Sequence, residues 1–226
     1  MMIIKTGILR LGQFCWRIPF TLIMVGLLLL VAWGTHSYFQ DLARVWVNRL
    51  GFAPSDFWFF RWERLILSAL VTSGGTIFWL ALGMVTVTSG IVEWRCGSGR
   101  AALTFWGVHL VTLLLESLLF LLPLHQLGFT QARALFFSRD VGPSAGYMAS
   151  LGLITTFLPK PWRWVAFGAI LAFLVISLFL PARSGVTPAI KLADDLAHLI
   201  AFPLGWMIAP IFGTKKSLKA LEREHV

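Results

Sequence analysis

Long apolar runs, separated by short polar stretches, dominate the hydrophobic pattern of this chain. The runs are as long as membrane spans, and apolar residues do not alternate in them as they do in the strands of a barrel. Because a bilayer offers no water to exposed backbone groups, each run is predicted to form a helix. Six apolar segments are predicted, at about 18–33, 65–92, 101–122, 144–158, 164–180 and 192–211. The pattern therefore predicts an all-α integral membrane protein with one domain, 1–226, and a tail from 212 to 226.

Two segments depart from a plain bundle of spans. The fourth has about 15 residues before the Lys160-Pro161 break, whereas a full span needs about 20. It is predicted to be a half-depth helix that other helices shield from lipid. In the first connection, "DLARVWVNRLGF" carries apolar residues at helical spacing among basic ones, which predicts a helix lying in the outer interface.

The positive charge of the chain indicates on which side of the membrane its termini lie, and does not indicate a nucleic-acid partner. Only 13% of the residues are charged, and the net charge of +9 comes from Lys and Arg at the ends of the apolar runs. Eleven of these cations fall on the side of the termini and eight on the other side, so the positive-inside rule places both termini in the cytoplasm. We expect a protein of a bacterial inner (plasma) membrane, in contact with lipid and not with nucleic acid.

The stretch "GPSAGYMASLG" brings a candidate nucleophile, Ser144, to the start of the fourth segment. Pro143 is well placed at a helix start, where its missing amide would be unpaired anyway. The amides of the first turn then favour a developing negative charge, as an oxyanion requires. A serine also needs a base within hydrogen-bond reach. The bland interpretation is that Ser144 is a small packing residue.

A candidate base, His198, borders a ridge of small residues in the sixth segment. Small residues every four positions let another helix approach closely, and the fourth segment carries a matching set. We expect the two helices to pack together with Ser144 and His198 at comparable depth. The residues assigned to this helix packing are Ala193, Ala197, Ala201 and Gly205 in the sixth segment, and Gly146 and Gly152 in the fourth.

Three stretches together resemble the rhomboid family of intramembrane serine proteases: "SGIVEWRCGSGR" (89–100), "GPSAGYMASLG" (142–152) and "AHLIAFPLG" (197–205). The likeness extends from about Arg61 to Ala209. It implies a six-helix bundle in which Ser144 is the nucleophile and His198 the general base of a dyad. Such a dyad cleaves transmembrane segments of other membrane proteins near the outer face. No metal or organic cofactor is implied.

The chain also departs from the family pattern in the second core span. The family usually has His and Asn there to hold the oxyanion, and the matching positions are Ile77 and Ala81, which cannot donate. Losing one such donor typically lowers the rate by about 10² to 10³. The alternative is a rhomboid pseudoprotease that binds other transmembrane helices without cutting them. Residues considered as oxyanion or supporting groups are Gly142, Thr76, Tyr147 and Asp194.

Two further polar features leave alternatives open. Asp194 lies four residues before His198 and either orients its imidazole or, as we favour, caps the helix together with Asp195. His109 and Glu116 share one face of the third segment. They indicate a buried polar strut or, in a weaker reading, a proton path of a small transporter, and are too few for a metal site.

Overall fold

Helices account for nearly all regular structure in the computed structural model, which describes residues 17–182 and 187–212. No β-strand occurs in these ranges, only two isolated bridges. Short 3₁₀ turns aside, the described residues form nine helices. They are α1 (Pro19–Thr35), α2 (Arg44–Leu50), α3 (Glu63–Leu67), α4 (Gly75–Cys96), α5 (Ser98–Gln126), α6 (Thr130–Phe137), α7 (Ser144–Thr155), α8 (Lys160–Ser177) and α9 (Pro188–Met207).

Four of the described helices are long and apolar enough to cross a membrane. They are α4, α5, α8 and the stretch Ile190–Phe212, which contains most of α9. Helix α1 is apolar but shorter, and α7 has only 12 residues. These lengths and compositions fit an integral membrane protein. The predicted helix of the first connection exists as α2, whereas the predicted tail lies almost wholly in 213–226, outside the described residues.

The second apolar segment differs from its prediction because its membrane-length helix begins at Gly75 and not near Leu65. Gly74 and Gly75 have φ angles of 86° and 55°, which a continuous right-handed helix does not allow. A Cβ on Gly74 would also lie 2.3 Å from the carbonyl oxygen of Gln40, so only glycine fits there. Residues Glu63–Leu67 form the separate short helix α3 instead.

Helix α1 is fastened at its start by a carboxylate from α4. Glu93 is 1% exposed and accepts hydrogen bonds from the backbone amides of Phe20 and Thr21 and from the Thr21 hydroxyl, each at 2.8 Å. The first amides of a helix have no partner within it, so Glu93 provides the cap that the local sequence lacks. This bond joins two helices that are 72 residues apart in the chain.

Helices α7 and α9 pack backbone to backbone. A Cβ on Gly205 would lie 1.9 Å from the carbonyl oxygen of Ala149, and one on Gly152 would lie 2.0 Å from that of Phe202. Ala201 is fully buried and packs with Ala145 and Ala149 of α7. Small residues allow this approach because no side chain separates the helix axes. The contact sets the position of α7 relative to α9.

The other small residues of these two helices do not all lie at the contact between α7 and α9. On α9, Ala197 is 3% exposed and Ala193, nearer the start of the helix, is partly buried. On α7, Gly146 faces away from this contact, because a Cβ there would lie 2.6 Å from the ring of Phe105 on α5. Glycine at 146 therefore allows α5 to pack against the side of α7.

Candidate active site

Ser144 is the first residue of α7. Gly142 has a φ of 155°, and Pro143 then precedes the first helical turn. The amides of Ser144, Ala145 and Gly146 donate to no carbonyl oxygen or side chain within the described part of the chain. These amides leave the positive end of the α7 dipole open beside the Ser144 hydroxyl, which is an arrangement suited to an anion or a developing oxyanion.

Asp194 lies between the two residues of the predicted dyad. The Ser144 hydroxyl donates to Oδ1 of Asp194 at 3.3 Å, and Nε2 of His198 lies 3.2 Å from the same oxygen. Ser144 and His198 are therefore separated by at most the sum of these two distances. No hydrogen bond joins them directly among the described residues. The three side chains meet where α7 begins and where α9 has completed its second turn.

The expected capping role of Asp194 and Asp195 is wrong. Helix α9 begins at Pro188, and the hydroxyl of Thr187 caps it by accepting a first-turn amide at 3.3 Å. Both aspartates therefore lie inside the helix, where every amide already has a helical partner. Asp194 faces α7, whereas Asp195 faces α8 and accepts from the Ser177 hydroxyl at 2.8 Å. The signal for this helix start in the sequence is the pair Thr187–Pro188, a capping residue followed by proline at the first helical position.

His198 is largely shielded. Its side chain is 12% exposed, and the ring of Tyr147 lies 6.4 Å away between centroids. The imidazole is not turned to donate to Asp194, so Nε2 is buried without a hydrogen-bond partner among the described residues. A buried, unpaired imidazole nitrogen near a hydroxyl is placed to accept a proton once the hydroxyl turns toward it. The Asp194 side chain is 45% exposed, so the cluster of Ser144, Asp194 and His198 reaches the protein surface at Asp194.

The second core span contributes no side-chain donor beside Ser144 in the described residues. Thr76 and Ile77 are exposed on the outer face of α4. Ala81 is buried at 5% exposure but offers only a methyl group. The backbone amides at the start of α7 are the donors that the site offers to an oxyanion in place of these side chains.

Two more carboxyl groups surround Asp194. Asp140 precedes α7, and burial followed by repulsion from Asp194 raises its pKa from the usual 3.8 to about 7, although the Val141 amide donates to it at 2.8 Å. Glu116 is 7% exposed, starts a wide π-helical turn of α5, and lies within electrostatic range of both aspartates. Negative charge beside Ser144 opposes formation of an oxyanion. A proton on one of these three carboxyl groups therefore makes the oxyanion easier to form.

His109 acts as a strut between α5 and the segment before α4. Its Nε2 lies 3.1 Å from the carbonyl oxygen of Leu65, and the residue is 2% exposed. One turn further along, the hydroxyl of Thr112 is buried without a partner in the described residues. Of the two readings of His109 and Glu116, this contact matches the buried strut.

A buried ion cluster that sequence reasoning missed lies close to the site. Asp56 is 1% exposed and pairs with Arg64 at 3.2 Å and Arg139 at 2.6 Å. The three residues come from distant parts of the chain, so no local spacing connects them. The one available signal was a lone acidic residue within an apolar and aromatic stretch, "GFAPSDFWFF", because such a charge needs a partner.

The described residues contain no group of three or more His, Cys, Asp and Glu side chains placed to hold a metal ion. No protein-family model, curated protein or solved structure matches this chain.

Proposed function

We propose that this chain is a rhomboid-like intramembrane serine protease with six membrane-crossing segments. Ser144 is the nucleophile and His198 the general base. The observation that carries the proposal is the α7–α9 contact, which holds the Ser144 hydroxyl and the unpaired Nε2 of His198 on either side of one Asp194 oxygen. The substrates are transmembrane segments of other membrane proteins. The excess of cations on the side of the termini favours an orientation with both termini in the cytoplasm, and we assign the chain to a bacterial inner membrane as part of the same proposal.

The reaction starts when the Ser144 side chain rotates from Asp194 toward His198, which a change between staggered rotamers provides. Oγ then bonds to the carbonyl carbon of the scissile peptide, and Nε2 of His198 takes the hydroxyl proton. The carbonyl oxygen becomes an oxyanion that the free first-turn amides of α7 stabilise. When the C–N bond breaks, His198 returns the proton to the leaving amine, and water later hydrolyses the acyl-enzyme.

Asp194 has two effects in this scheme. In the resting state it holds the Ser144 hydroxyl by a hydrogen bond. Once His198 is protonated, the carboxylate 3.2 Å from Nε2 becomes its counter-ion. The arrangement thereby differs from a Ser–His–Asp triad, in which the acid contacts the nitrogen remote from the serine.

A fluorophosphonate probe tests the proposal, because it reacts covalently only with an activated serine. We expect the purified protein to be labelled and Ser144→Ala to abolish the labelling. The matched control is Ser150→Ala, which changes a buried serine of α7 whose hydroxyl donates to the Gly146 carbonyl oxygen at 3.1 Å. Absence of labelling in the unaltered protein, or equal labelling of the Ser144→Ala variant, would refute the assignment.

The second candidate function is a pseudoprotease that binds transmembrane helices of other proteins as an assembly subunit. It is favoured by the bond from Ser144 to Asp194 rather than to His198 and by the lack of a donor at Ile77 and Ala81. It predicts that Ser144→Ala leaves co-purification of partner membrane proteins unchanged. Loss of that association in the variant would exclude it.

A further inference from the structure

The buried carboxylate of Asp56 is fully enclosed by donors. Its side chain has no exposed surface and accepts the Ala53 amide at 3.0 Å, Arg64 at 3.2 Å and Arg139 at 2.6 and 3.3 Å. Arg139 also donates to the carbonyl oxygen of Gly51 at 3.0 Å. Such charge-assisted, multiply bonded clusters hold their members in a narrow range of positions.

From Arg139 the chain reaches Ser144 in five steps, and Arg139, Asp140 and Gly142 on that path are each bonded to the connection between α1 and α4. Asp140 and Phe52 exchange both backbone hydrogen bonds, at 2.9 and 3.0 Å. The Gly142 amide donates to the Ser68 carbonyl at 2.9 Å. These backbone bonds hold segment 139–142 against the connection, and the Asp56 cluster adds a charged restraint at its first residue, Arg139.

Two independent restraints thus act on α7. The Gly152 and Gly205 contacts fix its middle against α9, and segment 139–142 fixes the end that carries Ser144. The Ser144 hydroxyl meets Asp194 at 3.3 Å only while the end of α7 stays in place. A displacement of a reacting atom by about 1 Å can lower the rate about 100-fold. The restraint on the Ser144 end of α7 therefore affects how fast Ser144 reacts.

We propose that Asp56 is a positioning residue that, through Arg139, sets the place of Ser144 relative to Asp194 and His198. It touches neither substrate nor the reacting atoms. The inference rests on the proposed function in so far as Ser144 is the nucleophile, but the geometry it describes exists whether or not the chain cuts peptides.

The test compares two identical substitutions on the same carboxylate, Arg139→Lys and Arg64→Lys. Each keeps its positive charge and removes the forked guanidinium. Only Arg139 belongs to the segment that leads to Ser144; Arg64 approaches Asp56 from α3. We expect Arg139→Lys to lower the maximal rate of fluorophosphonate inactivation at least about tenfold, with little change in the half-saturating probe concentration. Arg64→Lys is expected to lose thermal stability with an inactivation rate within about twofold of the unaltered protein.

A second readout does not depend on catalysis. In a Ser144→Cys background, the thiol forms a mixed disulfide with a neutral alkyl methanethiosulfonate and releases methanesulfinate. The rate of this reaction reports how accessible residue 144 is. We expect Arg139→Lys to change this rate at least about threefold and Arg64→Lys to leave it unchanged.

The two readouts separate the two ideas. If the unaltered protein does not react with the fluorophosphonate, the proposed protease function fails, and the cysteine experiment still decides the positioning role. Equal effects of Arg139→Lys and Arg64→Lys on residue 144, or no effect of either, would overturn the inference and leave the Asp56 cluster as a purely stabilising feature.

Discussion

A methyl group added at Gly205 tests how strongly the site depends on the contact between α7 and α9. The Cβ of Gly205→Ala would lie 1.9 Å from the carbonyl oxygen of Ala149 and 2.5 Å from its carbonyl carbon. Close carbon–oxygen contacts in proteins are about 3.3–3.6 Å. The two helices must therefore separate by about 1.4 Å at this point. The new Cβ is fixed to the backbone of α9 and the atoms it meets are backbone atoms of α7, so no side-chain rotation relieves the clash.

The separation moves Ser144 on α7 away from Asp194 and His198 on α9. A displacement of about 1 Å typically lowers an enzymatic rate about 100-fold. We expect the rate of fluorophosphonate labelling of Gly205→Ala to fall by about that factor. Overpacking of the contact is expected to lower the free energy of unfolding by about 1–3 kcal/mol.

The assay is the labelling rate of the protein in detergent micelles, measured together with its thermal unfolding. Gly168→Ala is the matched control, since nothing lies within 4 Å of a Cβ built at Gly168 in α8. We expect that control to label at the unaltered rate and to be as stable, or more stable by up to about 1 kcal/mol. Normal stability and labelling of Gly205→Ala would refute the view that the close contact places the site.

Three other substitutions give separate predictions. Because the folded pKa of Asp140 is about 7, above its usual 3.8, the folded state holds a proton that the unfolded chain has lost. The free energy of unfolding therefore falls as the pH rises from about 3.8 to about 7. In Asp140→Asn, a plot of the free energy of unfolding against pH, measured from pH 4 to 8, should be flatter. Glu93→Ala removes a charged acceptor of three hydrogen bonds and should cost about 3 kcal/mol or more in denaturant unfolding, against about 1 kcal/mol for Thr21→Val. Asp194→Asn removes the counter-ion of protonated His198 and should slow labelling about tenfold or more without changing the fold seen by circular dichroism.

Contrary results have clear meanings for each of these. An unchanged pH slope in Asp140→Asn would show that this carboxyl does not take up the proton. Equal costs for Glu93→Ala and Thr21→Val would mean that the backbone bonds at the start of α1 contribute nothing. Faster labelling of Asp194→Asn would show that the carboxylate mainly restrains Ser144.

The helical architecture follows from local features of the sequence. Apolar runs predict helices, and five of the six predicted segments coincide to within several residues with α1, α5, α7, α8 and the stretch Ile190–Phe212. The start of α4 could not be placed in the same way, because the apolar run continues through Gly74 while the backbone turns. Hydropathy records transfer into lipid, whereas this helix start depends on φ and on close backbone approach.

The candidate site likewise has features that can be predicted from adjacent residues and features that only the folded chain forms. Ser144 at a helix start, with Pro143 before it, is readable from a few adjacent residues. The apolar pattern predicts that the sixth helix begins near Leu192, whereas α9 begins at Pro188. This shift of about one turn turns the predicted cap at Asp194 into a residue inside the helix. The Asp56 cluster joins residues up to 83 positions apart, so only the folded chain brings its charges together.

The central claim is that His198 activates Ser144. The most direct test measures fluorophosphonate labelling in the unaltered protein and in His198→Ala, with the modified residue located by peptide mass spectrometry. We expect modification at Ser144 in the unaltered protein and loss of labelling in a folded His198→Ala variant. An unlabelled protein, modification at another residue, or undiminished labelling without His198 would contradict it.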